Sequence, residues 1–304
     1  MPELPDITVY LEALERRVVG RVLERVRVAD VFVLRTAVPP IAAIEGKRVV
    51  QLRRLGKRIA FGFENGMWLV VHLMIAGRWQ WSGAGEKPVV RNALATFFFA
   101  GGGALVLTEA GTKRRASIHV VADEAGLAAH DRGGLDVMAC TEQEFAAQLK
   151  QENHTLKRSL TDPFLYSGVG NAYSDEILHA AKLSPVALTQ KLSGDEVQRL
   201  WRATRDVLRI WTERLRAEVG EGFPTKVTAF RPEMAVHGKF GQPCPVCATA
   251  VQRIQYAENE LNYCPRCQTG GKILADRSLS RLLKADWPRT IEEAEAAGKV
   301  PGAR

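Results

Sequence analysis

The chain has 304 residues, of which 46% are hydrophobic and 25% charged, so it can bury a core and is not expected to be disordered. No apolar run reaches the ~18 residues of a membrane helix, and the start lacks the basic flank and apolar stretch of a secretory signal. The 42 lysines and arginines exceed the 34 acidic residues and give a net charge of +8, which favours an anionic partner.

The first part of the chain predicts one helix followed by short strands. Apolar residues at spacings of three and four predict a helix over 7–19, with Asp6 as its N-cap. Strands are predicted over 26–33, 48–53, 58–63, 67–73, 96–99 and 104–107. Asn65-Gly66 favours a hairpin turn. Residues 1–130 are therefore predicted to form a β-rich domain with one N-terminal helix.

The second part of the chain is mainly helical in its pattern. Thr141 with Glu144, and Ser193 with Glu196, have the spacing of capping boxes. The second pair opens the clearest helix, over 193–219. We expect a helical domain over 137–225, a cysteine-rich hairpin over 236–270 and a peripheral tail over 271–304.

Four of the five cysteines form two Cys-x-x-Cys pairs separated by sixteen residues. They are Cys244, Cys247, Cys264 and Cys267. This spacing predicts one tetrahedral zinc site, and four thiolates leave no open position, so the metal is structural. A metal-free hairpin is the alternative. Local clustering of cysteines fits a reducing compartment such as a bacterial cytoplasm.

The N-terminus carries a candidate nucleophile. A small second residue favours removal of Met1, which leaves the secondary amine of Pro2 free. An α-amino group titrates near ~8, whereas a lysine titrates near ~10.4, and a secondary amine condenses with an aldehyde to an iminium that serves as an electron sink. Glu3 is placed to exchange protons with a sugar ring. Taken alone, however, Pro-Glu occurs at many N-termini.

A glycine turn opens directly into an apolar-periodic helix at Ser167–Ile177. Gly168 and Gly170 let backbone amides face outward, and together with Asn171 they can hold a phosphate at the helix N-terminus. The alternative is a plain turn between two helices.

Together these features resemble the formamidopyrimidine-DNA glycosylase and endonuclease VIII family, from Met1 to about Gln268. The motifs are Pro2-Glu3-Leu4-Pro5, Gly56-Lys57, Gly168-Val169-Gly170-Asn171 and the four cysteines. The resemblance implies an α+β protein: an N-terminal β-sandwich with a long N-terminal helix, then a helix-two-turn-helix domain with a zinc β-hairpin. DNA would lie between the two parts with the damaged base flipped out.

The resemblance also implies site residues. Pro2 attacks C1′, Glu3 acts as acid and base at the sugar, and Lys57 assists elimination. The expected DNA contacts are His72, Ile75, Arg114, Arg115, Lys157, Gly170 and Asn171. His72 has a second interpretation as a core histidine. The implied function is a bifunctional DNA glycosylase and abasic-site lyase, a monomer that acts on damaged DNA and binds one structural zinc, with no membrane partner.

Three positions depart from the family pattern. Asn259 stands five residues before the third cysteine, where the family has a phosphate-binding arginine, and an amide cannot supply a charged fork. The alternative is that Arg253 or Arg266 supplies the missing charge. In the family two loops fill the gap left by the flipped base. In the first loop Ile75 replaces the wedge methionine, or Met74 does if the loop shifts, and in the second loop, 112–117, Ala116 replaces a phenylalanine. The change to Asn259 predicts that β-elimination dominates, and the change to Ala116 predicts weaker recognition of oxidised purines. They also leave open a damage-binding zinc protein with little catalytic activity.

Overall fold

The computed structural model describes residues 1–256, 259–276 and 287–296. The chain forms two compact units, Met1–Gly134 with Arg209–Ala229, and Leu135–Leu208 with Phe230–Arg304. Within the predicted tail, 277–286 and 297–304 lie outside the described residues. The predicted domain boundaries stay predictions, because compact units and domains need not coincide.

The first unit opens with helix α1, Leu4–Val18. It begins before the predicted residue 7, and Glu3 is its N-cap. The prediction of Asp6 as N-cap was wrong, because Asp6 lies in the first turn and its Oδ2 accepts a hydrogen bond from the Glu3 N–H at 3.0 Å. Pro5 suits this first turn, where its missing N–H costs no hydrogen bond.

Eight antiparallel strands form the sheet of the first unit. They are β1 Val22–Val28, β2 Lys47–Leu55, β3 Arg58–Phe63, β4 Trp68–His72, β5 Gly77–Ser82, β6 Ala93–Phe99, β7 Ala104–Glu109 and β8 Ser117–Val121. Their order is β5-β7-β6-β1-β2-β3-β4-β8. Only two residue pairs join β1 to β2, so the strands divide there into two four-stranded halves.

The strand predicted over 26–33 ends early, at Val28. Val31–Val33 form a single 3-10 turn, because the Asp30 carboxylate accepts a hydrogen bond from the Phe32 N–H at 3.1 Å and caps it. Val31 and Phe32 are exposed there. The prediction was wrong at this point because local capping outweighed β propensity.

The main core of the first unit lies between the two halves of the sheet. Both halves contribute large buried side chains, among them Leu23, Trp79, Phe97, Phe61, Leu69, Val71 and Ile118. A smaller apolar cluster covers the outer face of β3, β4 and β8, beneath the short helix α2, Glu124–Ala128. This α+β arrangement agrees with the predicted fold class.

The second unit is helical with a small hairpin. Its elements are α3 Glu142–Lys150, α4 Leu156–Thr161, α5 Asn171–Ala180, α6 Gly194–Val219, β9 Gln252–Gln255, β10 Glu260–Tyr263, α7 Pro265–Thr269 and α8 Ile291–Ala296. The last part of α6 belongs to the first unit. Both predicted capping boxes are present. Among the described residues, no helix is long and apolar enough to cross a membrane.

Candidate functional site

The N-terminal amine lies at the head of α1, beside a buried carboxylate. Pro2 is buried, and Glu3 is 2% exposed. Burial lowers the pKa of the amine, which Met1 carries here; the charges of Arg78 and Lys57 lower it further, and those of Glu3 and Asp6 oppose the shift. A larger fraction of the amine is therefore unprotonated at neutral pH, as a nucleophile requires.

Lys57 occupies the two-residue turn between β2 and β3. Leu55 pairs with Arg58 across the turn, and Gly56 has φ +61°, as a type II′ turn requires at its first central position. This positive φ favours glycine, which explains why Gly56 precedes Lys57. The Lys57 charge acts on both the N-terminal amine and His72, so Lys57 lies within electrostatic range of each.

Arg78 is a site residue that the sequence did not reveal. Its guanidinium donates hydrogen bonds to the carbonyl oxygens of Gly77 at 2.6 Å, Ile75 at 3.1 Å and Val227 at 2.6 Å. Its positive charge, like that of Lys57, lowers the pKa of the N-terminal amine. Because Arg78 sits in an alternating strand among tryptophans, no local signal marked it.

The loop from Leu73 to Gly77 presents one apolar side chain to solvent. Ile75 is 53% exposed, whereas Leu73 is buried. Met74 has φ +54°, in the left-handed region that favours glycine. A Cβ on Gly77 would lie 2.2 Å from the Leu73 carbonyl oxygen. The loop therefore has no room for a side chain at Gly77, whereas the side chain of Ile75 is exposed to solvent.

The second predicted loop lies between β7 and β8 and is held by a buried carboxylate. Glu109, 1% exposed, accepts hydrogen bonds from the backbone N–H groups of Arg115 and Ala116, both at 2.9 Å. Arg114 forms an ion pair with Asp30 at 2.9 Å. Ala116 packs in the main core, so it offers no exposed wedge.

In the second unit, the predicted glycine turn caps α5. Gly170 is the N-cap, and Gly168 has φ +88°. The Asn171 side-chain amide donates to the Glu260 carbonyl oxygen at 2.9 Å, which ties the helix start to β10. Lys157 donates to the Asn171 carbonyl oxygen and to Asp175, both at 2.6 Å. Asn171 and Lys157 thus lie next to each other, and both side chains donate hydrogen bonds to other groups of the second unit.

A cleft of about 570 Å³ lies beside these residues. Its walls come from α4, α5 and the β9–β10 hairpin, and they include Lys157, Arg158, Asn171, Tyr256 and Asn259. Asn259 therefore faces the same space as the predicted DNA contacts of the second unit. Arg253 points elsewhere: its guanidinium stacks on Phe240 at 4.2 Å and pairs with Glu260 at 3.7 Å.

The four cysteines converge. Their sulfur atoms all lie within 4.8 Å of one another, with Sγ–Sγ distances of 3.9 Å for Cys244–Cys267 and 3.3 Å for Cys247–Cys264. A tetrahedral zinc with Zn–S bonds of about 2.3 Å sets its sulfurs about 3.8 Å apart. The residues present fit one zinc ion, which would hold the hairpin together and leave no position for substrate.

A histidine from α5 reaches the zinc-ligand cluster. His179 Nε2 lies 3.2 Å from Cys244 Sγ, and His179 is 6% exposed. Hydrogen bonds from outside the ligand set orient metal ligands, so His179 links α5 to the cysteine cluster. Sequence spacing did not indicate this contact.

Three family models match the chain in order. They are the formamidopyrimidine-DNA glycosylase N-terminal domain at residues 1–116, its H2TH domain at 136–217, and the zinc finger found in FPG and IleRS at 241–270. The formamidopyrimidine-DNA glycosylase of Exiguobacterium sibiricum is 30% identical, over 88% of this chain and 99% of that protein. The chain belongs to the formamidopyrimidine-DNA glycosylase family. The resemblance found in the sequence and the predicted fold and zinc finger are thereby confirmed.

Other relatives extend the comparison. An uncharacterized formamidopyrimidine-DNA glycosylase-like protein of Mycobacterium tuberculosis is 42% identical, over 50% of this chain and 94% of its own length. The crystal structure of MutM (Fpg) from Thermus thermophilus superposes with a TM-score of 0.72 at 28% identity, covering 88% of this chain and 98% of that one. Lactococcus lactis Fpg in complex with abasic-site DNA shares the fold, with a TM-score of 0.76 at 23% identity, over 88% and 99% of the two chains.

Proposed function

We propose that the chain is a DNA glycosylase of base-excision repair that also cleaves at abasic sites, as a monomer in a bacterial cytoplasm. The observation that carries this proposal is the N-terminus: Pro2 is buried next to buried Glu3, and the charge of Lys57 acts on the terminal amine that Met1 carries before its removal. Family membership supports the substrate, since the names of the relatives describe DNA glycosylases.

Once Met1 is removed, the neutral amine of Pro2 attacks C1′ of the damaged nucleotide. The bond from C1′ to the base breaks, and the base leaves with the electron pair and takes up the proton that the Pro2 nitrogen loses. Glu3 donates a proton to the sugar ring oxygen as the C1′–O bond breaks and the ring opens, and the freed nitrogen lone pair forms the C1′=N⁺ bond. On an abasic site the same amine adds to the C1′ aldehyde and water leaves.

The iminium then drives strand cleavage. Its positive charge acidifies the C2′ proton, and a general base removes that proton. The electron pair forms a C2′=C3′ bond as the C3′–O bond breaks and the 3′ phosphate leaves. Lys57 is placed to assist this elimination through its charge near the amine. Asn259 offers no charge to a second phosphate, so cleavage is proposed to stop after β-elimination.

The second unit would contribute phosphate contacts. Lys157 and Asn171 border one cleft with Asn259, and Gly170 is the N-cap of the helix that begins at Asn171. Ile75 would fill the gap left by the flipped base, because it is the exposed apolar side chain of its loop. Arg114 and Arg115 would face the orphaned partner base from the β7–β8 loop.

Borohydride trapping tests the proposal. We expect the mature protein to form a covalent complex with an abasic duplex and with an 8-oxoguanine duplex. Pro2→Gly and Glu3→Gln should each slow product formation by about a hundredfold or more. Glu12→Gln is the matched control, because Glu12 lies on the same helix and pairs with Arg216 instead.

A second candidate function is damage recognition with little catalysis, favoured by Asn259 in the cleft. Tight binding to the abasic duplex without any trapped complex would establish it and would exclude the lyase. The Pro2→Gly protein keeps a primary N-terminal amine that can still be trapped. Trapping at the wild-type rate in a protein whose N-terminal amine is blocked by acetylation would contradict the proposed nucleophile.

A further inference from the structure

An exposed phenylalanine lies on the 3-10 turn that follows β1. Phe32 is 79% exposed, and its neighbour Val31 is 71% exposed. The turn is held without the Phe32 side chain, because the Asp30 carboxylate accepts a hydrogen bond from the Phe32 backbone N–H, and Val33 is the residue of the turn that packs in the main core. A large apolar side chain gains free energy when it leaves water, so Phe32 is available to a partner.

Two contacts place this turn beside the β7–β8 loop. Before Phe32, Asp30 forms an ion pair with Arg114 at 2.9 Å. After Phe32, Leu34 forms a parallel bridge with Ile118 at the start of β8. Both contacts join residues with the same separation in sequence, so the two segments run side by side with Phe32 between the contacts.

The same separation in sequence sets Phe32 level with Ala116. Ala116 is 3% exposed and packs in the main core, so it presents no apolar surface to solvent. At this level of the loop, the exposed apolar surface therefore comes from Phe32 in the neighbouring segment.

Basic residues flank Phe32 in both segments. Arg35 follows it in its own segment, and Lys113 and Arg114 lie in the loop; all three are exposed. The carboxylate among them is Asp30, whose charge is matched by its ion pair with Arg114. Proteins bind unpaired nucleotides with this combination, because bases stack on an aromatic ring while cations face the phosphate backbone. The surface around Phe32 thus fits DNA better than it fits an apolar protein partner.

We propose that Phe32 stacks on the DNA base that loses its partner when the damaged base is flipped out. This inference rests on the proposed function, in which Arg114 and Arg115 face the same base from the adjoining loop. Flipping uncovers a face of the orphaned base, and an aromatic ring covers that face whatever the identity of the base. Phe32 acts on the orphaned base, whereas Ile75 fills the gap on the side of the lesion.

The first test measures affinity for a duplex with a stable abasic analogue. Phe32→Ala should weaken binding by about tenfold, since the loss of one base–aromatic stack has an effect of this order, and Phe32→Trp should preserve it. Removal of the base opposite the analogue should weaken wild-type binding by a similar factor and the binding of Phe32→Ala much less. Phe164→Ala is the matched control, because Phe164 is also exposed, at 57%, and lies in the second unit.

A merely structural role for Phe32 would not produce this dependence on the opposite base. Its side chain is outside the core and its backbone makes the cap, so the thermal unfolding of Phe32→Ala should match that of the wild type.

The second test identifies the contact directly. The base opposite the abasic analogue is replaced by 5-iodouracil, which forms a covalent bond on irradiation with an aromatic ring that lies against it. Mass spectrometry of the digested complex should find the crosslink on the peptide that contains Phe32. The Phe32→Ala protein should lose this crosslink.

Equal affinity of wild type and Phe32→Ala for the duplex that keeps the opposite base would overturn the inference, and so would a crosslink that Phe32→Ala leaves unchanged. Borohydride trapping on an abasic duplex keeps this result separate from the proposed lyase. Trapping that fails while the opposite-base effect of Phe32 persists removes the lyase and leaves the stacking contact in place.

Discussion

Met74 adopts a backbone conformation that is costly for a side chain with a Cβ. Its φ of +54° lies in the left-handed region, where a non-glycine residue costs about 1–2 kcal/mol. Glycine loses more entropy on folding, by about 0.5–1 kcal/mol. We therefore expect Met74→Gly to raise the free energy of unfolding by about 0.5–1 kcal/mol, measured by urea denaturation.

Ala76 provides the comparison in the same loop. Its φ is not positive, so Ala76→Gly should lower the free energy of unfolding through chain entropy alone. Equal effects of the two substitutions would show that Met74 bears no strain.

At the scale of elements, His179 joins helix α5 to the zinc finger. Its Nε2 lies 3.2 Å from Cys244 Sγ. We expect His179→Phe to lower zinc affinity by about 10–100-fold, because partners outside the ligand set have effects of this size. Competition with a chromophoric chelator measures the affinity, starting from about one zinc per chain. An unchanged zinc affinity would show that the contact between His179 and Cys244 contributes only to packing.

Elements with local signals were predicted well, and those with distant causes were not. The two Cys-x-x-Cys pairs and the Ser193–Glu196 capping box carry their information within a few residues. The start of α1 was misplaced, because Asp6 is a good N-cap in isolation. Its carboxylate instead reaches back to the Glu3 N–H, an arrangement that sequence alone does not separate from capping.

For the whole molecule, the lowered pKa values of His72 and His119 predict a pH dependence of stability. Histidines titrate near 6.5 when unfolded, whereas the pKa of His72 and of His119 is lowered to about 4 in the folded protein, chiefly by burial. Between these values the unfolded chain binds more protons, so the free energy of unfolding should fall as the pH decreases from about 6.5.

Urea denaturation at a series of pH values measures this. The His119→Gln protein should show a shallower decline than the wild type between about pH 6.5 and pH 5, above the range in which most carboxylates titrate. Identical curves for wild type and variant would contradict the prediction.

Much of the site depends on pairings far apart in the sequence. Pro2, Glu3 and the four cysteines could be predicted as site residues because each depends on a short motif of neighbouring residues. The position of Arg78 and the ring contact between His119 and His130, whose centroids lie 4.6 Å apart, depend on strand register and on the path of α2. The spacing of residues in the sequence does not predict either. Lys57 was identified through the family pattern, and only its position in the β2–β3 turn explains the preceding glycine.

The closure at Gly77 bears on how this protein can be engineered. Any side chain there would collide with the Leu73 carbonyl oxygen, whereas Ile75 projects into solvent. Positions 75 and 76 can therefore vary, whereas position 74 favours glycine because of its φ of +54°. A library that randomises 75 and 76 and keeps both ends of the loop would test whether the proposed wedge determines lesion preference.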